Sequence, residues 1–388
     1  MKWPWSKIET RDVDPSWAAL SPLIPAGTST GQYVDAKAAE GIAAVFACVQ
    51  ALSESTATLP LHVFERRADG DRERADDHPL ARVLREPNGY QSGLTFRESM
   101  TASVLLHGNA FARIETDAAG ELVALHPLDP RSVAVVKLAN NRHAFDYTDD
   151  SGQVRRLLQE ECFHLKDRTE PGGIMGRSRI TIARETLGLG LALRDHGART
   201  FANAARLSGV LQSPNVLTDD SIKRLADSWN QQYSGTANAG KTAVLENGLT
   251  FEKLSMSLED AQWIAATQFT TEEVCRIYRV PPTMVADLRF GSYQNTAELG
   301  SQFVRYSLAR WIAMWETEVS RSLLGPIARR RYHAEHAVEG LLRGNPEARA
   351  DFYAKAVASG WMTINEVRKL ENLPTIEGID DADASTQA

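Results

Sequence analysis

At 388 residues the chain has room for two or three domains, each with its own core. Its 43% hydrophobic and 24% charged residues are ordinary for a soluble globular protein; no apolar run reaches bilayer length, and the opening MKWPWSKIETR puts charge and proline where a signal peptide needs an apolar core. A net charge of −7 excludes tight gripping of nucleic acid by a global basic surplus, because such binding is driven by phosphate neutralisation and counterion release.

Residues 1–35 read as an extended arm, in which Trp3, Trp5 and Trp17 mix with Pro4, Pro15, Pro22 and Pro25 without a period. The spacing of Ile42, Val45, Phe46, Val49 and Leu52 predicts a helix over 36–58, followed by a strand at 59–66. A second amphipathic helix is expected over 94–106, ended by Gly108. Short strands follow at 109–116, 122–127, 132–137 and 144–147, separated by Gly, Asn, Asp and Pro turn signals. The first domain is therefore α+β. A long helical run is predicted over 180–205.

A compact block comes next. It has a strand at 209–212, a helix over 218–233 with Asp219 and Asp220 facing its dipole, and a hairpin of 242–246 with 250–254 turning at Asn247-Gly248. A helix over 258–278 stops before Val280-Pro281-Pro282. After a glycine-containing loop at 288–295, a stripe of Leu299, Phe303, Leu308, Trp311, Trp315, Val319 and Leu323 predicts a helix over 296–324. At about 1.5 Å per residue it is roughly 43 Å long. Helices over 346–359 and 363–370 precede an acidic, polar tail at 378–388, expected to be disordered.

Chemistry-bearing motifs are few. Cys48, Cys162 and Cys275 are too scattered for a disulfide framework or a zinc site. His333 and His336 lack further ligands nearby, so neither a metal nor a cofactor is expected. Residues 235–242, GTANAGKT, match the phosphate-binding GxxxxGK[ST] pattern, with Lys241 as its lysine. That loop works by leaving a buried strand and entering a helix, whose free N–H groups then meet the phosphates. Here the predicted order is helix, loop, strand, so a P-loop nucleotide-binding enzyme using Gly235 to Thr242 is kept as the alternative reading. Gly188-Leu189-Gly190 lies within a helical run and lacks the third glycine of a dinucleotide site. The basic run Arg329-Arg330-Arg331 reads as a salt-bridged or solvated surface.

The order of local sequences resembles the portal family of tailed double-stranded-DNA phages and of the related gene transfer agents. The likeness is carried by LHGNAFARIE at 106–115, LHPLDP at 125–130, PGGIMGRS at 171–178, SGVL at 208–211, Trp229 through Tyr233, Val244-Leu245, Val280-Pro281-Pro282, Asn295 with Phe303, and TINEVR at 363–368. The resemblance implies an α+β portal fold: a wing at 36–177, stem helices at 178–208 and 258–280 flanking an α/β clip at 209–257, a tunnel-loop region at 281–295, a long wing helix with return strands at 296–344, and a helical crown at 345–377.

It further implies a ring of copies, dodecameric in the family, set at one capsid vertex of a virion or phage-like particle assembled in the bacterial cytoplasm. Double-stranded DNA would pass through that ring during packaging and ejection, weakly held and without sequence preference. Partners would be the major capsid protein, the terminase large subunit and a head–tail adaptor. No membrane and no enzymatic activity would be involved. The residues implied to face DNA are Leu288, Arg289, Phe290, Gly291, Ser292, Tyr293 and Gln294, and those implied for the clip interface are Trp229, Tyr233, Lys241 and Asn247.

Overall fold

The computed structural model describes residues 28–67, 72–149, 151–204, 209–214, 218–233, 248–253, 258–287, 300, 302–338, 346–371 and 373–377. They fall into two units, one of residues 34–184 and 274–377 and one of residues 28–33 and 185–273. Among the described residues no helix is long and apolar enough to cross a membrane.

The first unit opens with α1 (Ala36–Glu40) and α2 (Ala43–Thr58). The single helix expected over 36–58 is thus two helices. Asp35 caps the first by accepting from the Ala38 N–H at 2.7 Å, and Gly41 closes it. Phe46 is half exposed, while Val45, Val49 and Leu52 are buried. After β1 (Leu61–Arg66), β2 (Arg72–Arg74) and α3 (Pro79–Arg85) were not anticipated. Helix α4 (Gly93–His107) is capped by Ser92 and ends at Gly108 as expected.

Strands β3 (Asn109–Thr116), β4 (Leu122–Leu128), β5 (Val133–Lys137), β6 (His143–Thr148), β7 (Val154–Leu158) and β8 (Cys162–Lys166) are all antiparallel with their partners. They make two three-stranded sheets, ordered β4-β3-β8 and β5-β6-β7. Strand β3 is central, and Asn109 to Ala112 are buried on both of its faces. Phe111 points into a cluster with Val133, Phe145, Tyr147, Leu157 and Cys162. On the opposite face Ala112 pairs with Phe163, whose ring lies 5.8 Å from that of Trp315.

The next helices are α5 (Arg179–Ile182) and α6 (Arg184–Ala204), split at Ala183 where one run had been expected. The second unit, which takes most of α6, also holds β9 (Gly209–Gln212), α7 (Asp219–Tyr233) and β10 (Thr250–Lys253). Strands β9 and β10 pair antiparallel, with Gly209 opposite Lys253, and Gly248 before β10 has φ +72°, as an Asn-Gly hairpin turn requires. The hairpin's other strand, expected at 242–246, lies outside the described residues. Leu187 and Leu191 of α6 are buried. Gly188 is packed so closely that an added Cβ would stand 2.6 Å from Thr28; its role is helix-to-turn contact. Helix α8 (Leu258–Tyr278) has the bounds the spacing predicted, and its last turn belongs to the first unit.

The helix expected over 296–324 is described at Gly300 and from Gln302 onward. Gly300 and Gln302 are helical, and the chain then passes through a π-helical stretch at Phe303–Leu308 and continues as α9 (Ala309–Ser322). Trp311, Ile312, Trp315 and Val319 are its buried stripe, and the Trp315 indole donates to the Thr101 hydroxyl at 3.0 Å, satisfying the polar end of a buried aromatic. A short α10 (Ala328–Arg331) leads into β11 (Tyr332–His336), which pairs antiparallel with β1, Leu61 opposite His336. Arg331 of the basic run pairs with Glu65. His333 stacks on Phe64, and the His336 N–H donates to Glu316. The chain closes with α11 (Pro346–Ala358) and α12 (Ile364–Leu370), the latter held by a capping box of Thr363 and Glu366.

Arg97 of α4 shows how this core admits a cation. It is buried with no carboxylate partner among the described residues, and its guanidinium donates to the carbonyls of Ala57 at 2.8 Å and Leu84 at 3.3 Å. Those carbonyls close the last turns of α2 and α3, where the helix dipoles carry negative partial charge. Burial still pulls the Arg97 pKa down.

Candidate functional site

Two of the stretches that carry the family resemblance meet in the first unit. Gly108 ends α4 with φ +79°, in the left-handed region, and its N–H donates to the Val104 carbonyl at 2.8 Å. Residues 167–178 then fold back against it. A Cβ on Gly108 would stand 2.6 Å from the backbone at Arg177 and Ser178, and one on Gly176 would stand 2.1 Å from the Gly108 carbonyl oxygen. Only glycine at both positions lets the two backbones touch. Ser178 caps α5 and donates its hydroxyl to the Leu106 carbonyl at 2.9 Å.

Asn109 stitches this crossing. Its amide donates to the Gly176 carbonyl at 2.8 Å while Oδ1 accepts from the Gly176 N–H at 2.7 Å. That pairing fixes which end of the amide is oxygen, so His164 Nε2, 3.0 Å from the same Oδ1, must carry its proton and donate. The His164 ring stacks on Phe111 with centroids 4.4 Å apart. Burial, followed by the charges of Lys166 and Arg321, pushes its pKa down to about 3. His164 is therefore a neutral hydrogen-bond donor.

Three residues beyond His164, Asp167 collects three more segments. It accepts from Arg179 Nε at 2.6 Å, from Arg310 at 2.7 Å and from the Arg168 N–H at 2.7 Å. Burial opposes its charged form, but the hydrogen bond and charge of Arg179, with the charge of Arg310, outweigh burial and hold the carboxyl below its usual range. Arg179 also donates to the Ile277 carbonyl at 3.0 Å and lies over the Trp311 ring, 5.1 Å from its centroid. One carboxylate thus joins the end of β8, the start of α5, the last turn of α8 and α9.

The end of α8 is itself shaped by a reverse cap. The Val280 N–H donates to the Cys275 carbonyl and the Arg279 N–H to that of Arg276, at 3.0 and 3.2 Å. This is the Schellman pattern, with Arg279 at φ +58° where glycine is usual. Val280 is buried, and the chain leaves through Pro281. Ser307 of the π-helical stretch donates to the Arg279 carbonyl at 2.5 Å.

The residues singled out from sequence are not brought together here. Leu288, Arg289, Phe290, Gly291, Ser292, Tyr293, Gln294, Lys241 and Asn247 lie outside the described residues, as does the phosphate-loop look-alike at 235–242. Trp229 and Tyr233 stand on α7. The residues that do converge, Asn109, His164, Asp167, Arg179 and Arg310, were not singled out. Several sit inside or beside the strings that signalled the family, and that was their only sequence trace.

The family described as phage portal protein matches residues 43–372. The chain belongs to the phage portal protein family. The portal protein of Enterobacteria phage HK97 is 34% identical over 346 residues, covering 87% of this chain and 80% of its own length. Among solved structures, a chain in the virion of a native gene transfer agent particle superposes with a TM-score of 0.66 at 23% identity, covering 88% of this chain and 92% of that one. A chain in the neck of the native particle, computed with C12 symmetry, gives 0.61 at 24% identity, with 86% and 91% covered. The α+β portal fold expected from the resemblance is the one observed. In this portal chain the crossing at Gly108 and Gly176 and the Asp167 node lie wholly within the matched span.

Proposed function

We propose that this portal protein works as a ring of copies at one vertex of a phage or phage-like particle, conducting double-stranded DNA inward during packaging and outward during ejection. The observation that carries the reading is the match of one family over 43–372, with a neighbour in a particle neck computed with C12 symmetry. Twelve copies is accordingly the number we expect. The ring assembles in the bacterial cytoplasm and performs no chemistry itself; the ATPase belongs to the terminase large subunit. Residues 36–177 with the long helix form the wing that meets the major capsid protein, 178–208 and 258–280 the stem, and 345–377 the crown.

The clip at 209–257 receives the terminase and later the head–tail adaptor, through Trp229, Tyr233, Lys241 and Asn247. Leu288 through Gln294 form the loop that touches DNA. An acidic chain suits this task, because strong counterion-releasing contacts would brake a sliding duplex. The Asp167 node supports it mechanically, since it ties both proposed stem segments to the long helix by charge-assisted bonds.

Negative-stain microscopy and light scattering of the full chain test the proposal. Uniform rings with a hole of about 20 Å or more, wide against a major groove of ~12 Å, are expected. A chain that stays monomeric and binds nucleotide through Lys241 would sink it. Deleting 288–294 should leave rings intact while DNA packaging fails.

A further inference from the structure

Scattered in sequence, two of the three cysteines meet in space. Cys48 lies on the buried face of α2 with Val45, Val49 and Leu52, and Cys275 lies in the last turn of α8 with the buried Val274 and Tyr278. Their thiols are hydrogen-bonded to each other. The packing around them agrees, since α2 runs along the exit of α8, against the turn at Pro282–Val285 and the π-helical stretch at Phe303–Leu308. Cys48 is fully buried and Cys275 is 2% exposed. The neighbouring thiol, and then burial, push the Cys48 pKa up, so at neutral pH it rests as a thiol. Cys162, at the start of β8, is as well buried, but its sulfur meets the Phe163 carbonyl. Packing alone asks only for small apolar groups; two thiols in contact add a bond that they can form.

We propose that Cys48 and Cys275 are a disulfide site, open while the chain is in a reducing compartment and closed once it meets an oxidising one. The oxidant is a low-molecular-weight disulfide. One thiolate of the pair attacks a sulfur of that reagent, which releases one reagent thiol and leaves a mixed disulfide. The second cysteine attacks the protein-side sulfur, the Cys48–Cys275 bond forms, and the other reagent thiol leaves. Two electrons pass from the cysteines to the reagent, and the two thiol protons end on the reagent thiols. Because both sulfurs are covered, exchange waits on local opening of the contact between α2 and α8. Closing the contact to the ~2 Å of a disulfide asks for rotation about the two Cα–Cβ bonds. The partners are more than two hundred positions apart, and a cross-link over so long a loop restricts the unfolded chain strongly. It also clamps the backbone just before Pro281, from which residues 281–295 depart. That this segment leads to a loop touching DNA rests on the ring reading above; the bond itself does not.

The test uses the full-length chain, purified under reductant and then warmed with oxidised glutathione to just below its Tm, so that local opening admits the reagent. The intact mass should fall by two hydrogens, and a linked pair of tryptic peptides, 38–66 with 254–276, should appear. Tm should rise by about 5 °C or more over that of the reduced chain. Cys48→Ser and Cys275→Ala, made singly, should each abolish the link and the rise, whereas Cys162→Ser should keep both. Thiols that stay unlinked, or that react only as separate glutathione adducts, overturn the proposal, and so does a link made through Cys162. A Cys48–Cys275 link that lowers Tm would be a bond the fold does not accommodate, and would overturn it as well. None of these outcomes bears on the ring reading, which stands or falls on whether microscopy shows uniform rings.

Discussion

Two sets of polar contacts, one in each unit, stand in different settings. In the first, Asn109, His164 and Asp167 are buried, and each is satisfied by partners from distant stretches of chain. In the second, the Ser29 N–H and hydroxyl donate to Glu185 at 3.0 and 2.8 Å in an exposed setting, and Gln32 reaches Asp195 at 3.3 Å. A buried polar group left alone costs its full desolvation, so a satisfied network admits few alternative arrangements. An exposed contact exchanges with water at little cost. The crossing in the first unit is therefore built to hold one geometry, and the second unit's exposed contact at Ser29 can open singly.

The strongest challenge to that contrast is Asp167→Ala. It strands the buried Arg179 guanidinium, and we expect a loss of about 3–5 kcal/mol in urea unfolding. A loss below about 1 kcal/mol would erase the distinction between the two sets. Gly108→Ala comes next, because a left-handed backbone and a 2.6 Å approach must both be relieved; about 2–3 kcal/mol is expected from strain and overpacking.

Acidification probes His164 most strongly, with His78 and His107, whose pKa values burial also lowers, adding in the same direction. The folded pKa of His164, about 3, lies below its ordinary 6.5, so the unfolded chain binds the proton first. Stability is then full above pH 6.5 and falls as pH drops towards 3. About 2 kcal/mol should be lost between pH 7 and 5, a window above the range where Asp167 titrates, and His164→Gln should flatten most of the slope there. The smallest effect belongs to the second unit: Ser29→Ala should cost about 0.5 kcal/mol or less, and a larger loss would mean that its surface contacts are not separable.

Legibility from sequence followed the same divide between local and distant information. The bounds of β3 and α8, and the strand β9, follow from alternation, helical spacing and turn residues, all of which act within a few positions. Strand β8 was missed because CFHLK is buried along nearly its whole length, which removes the alternation that marks a half-exposed strand, and because His164 reads as polar. The breaks at Gly41 and Ala183 interrupt runs whose composition is helical throughout. The Asp167 node could not be read at all: Arg310 is 143 residues away, and no local pattern specifies such a pairing. The family strings at 106–115 and 171–178 marked where to look without saying which atoms meet.

The π-helical stretch at Phe303–Leu308 acts as a phase shifter. Ordinary α-helical winding advances about 100° per residue, so a five-residue step swings a side chain well away from where it began. Wider turns, with i→i+5 bonding, undo that swing, and Phe303 and Leu308 are both buried although five positions apart. The stretch therefore takes up one surplus residue without rotating Trp311 and Trp315 out of the core. Excising a single residue here should convert the segment to plain α-helix and keep the tryptophans in place, whereas the same excision one turn later would turn them towards solvent. The long helix thus carries its own tolerance for a change in length at this spot.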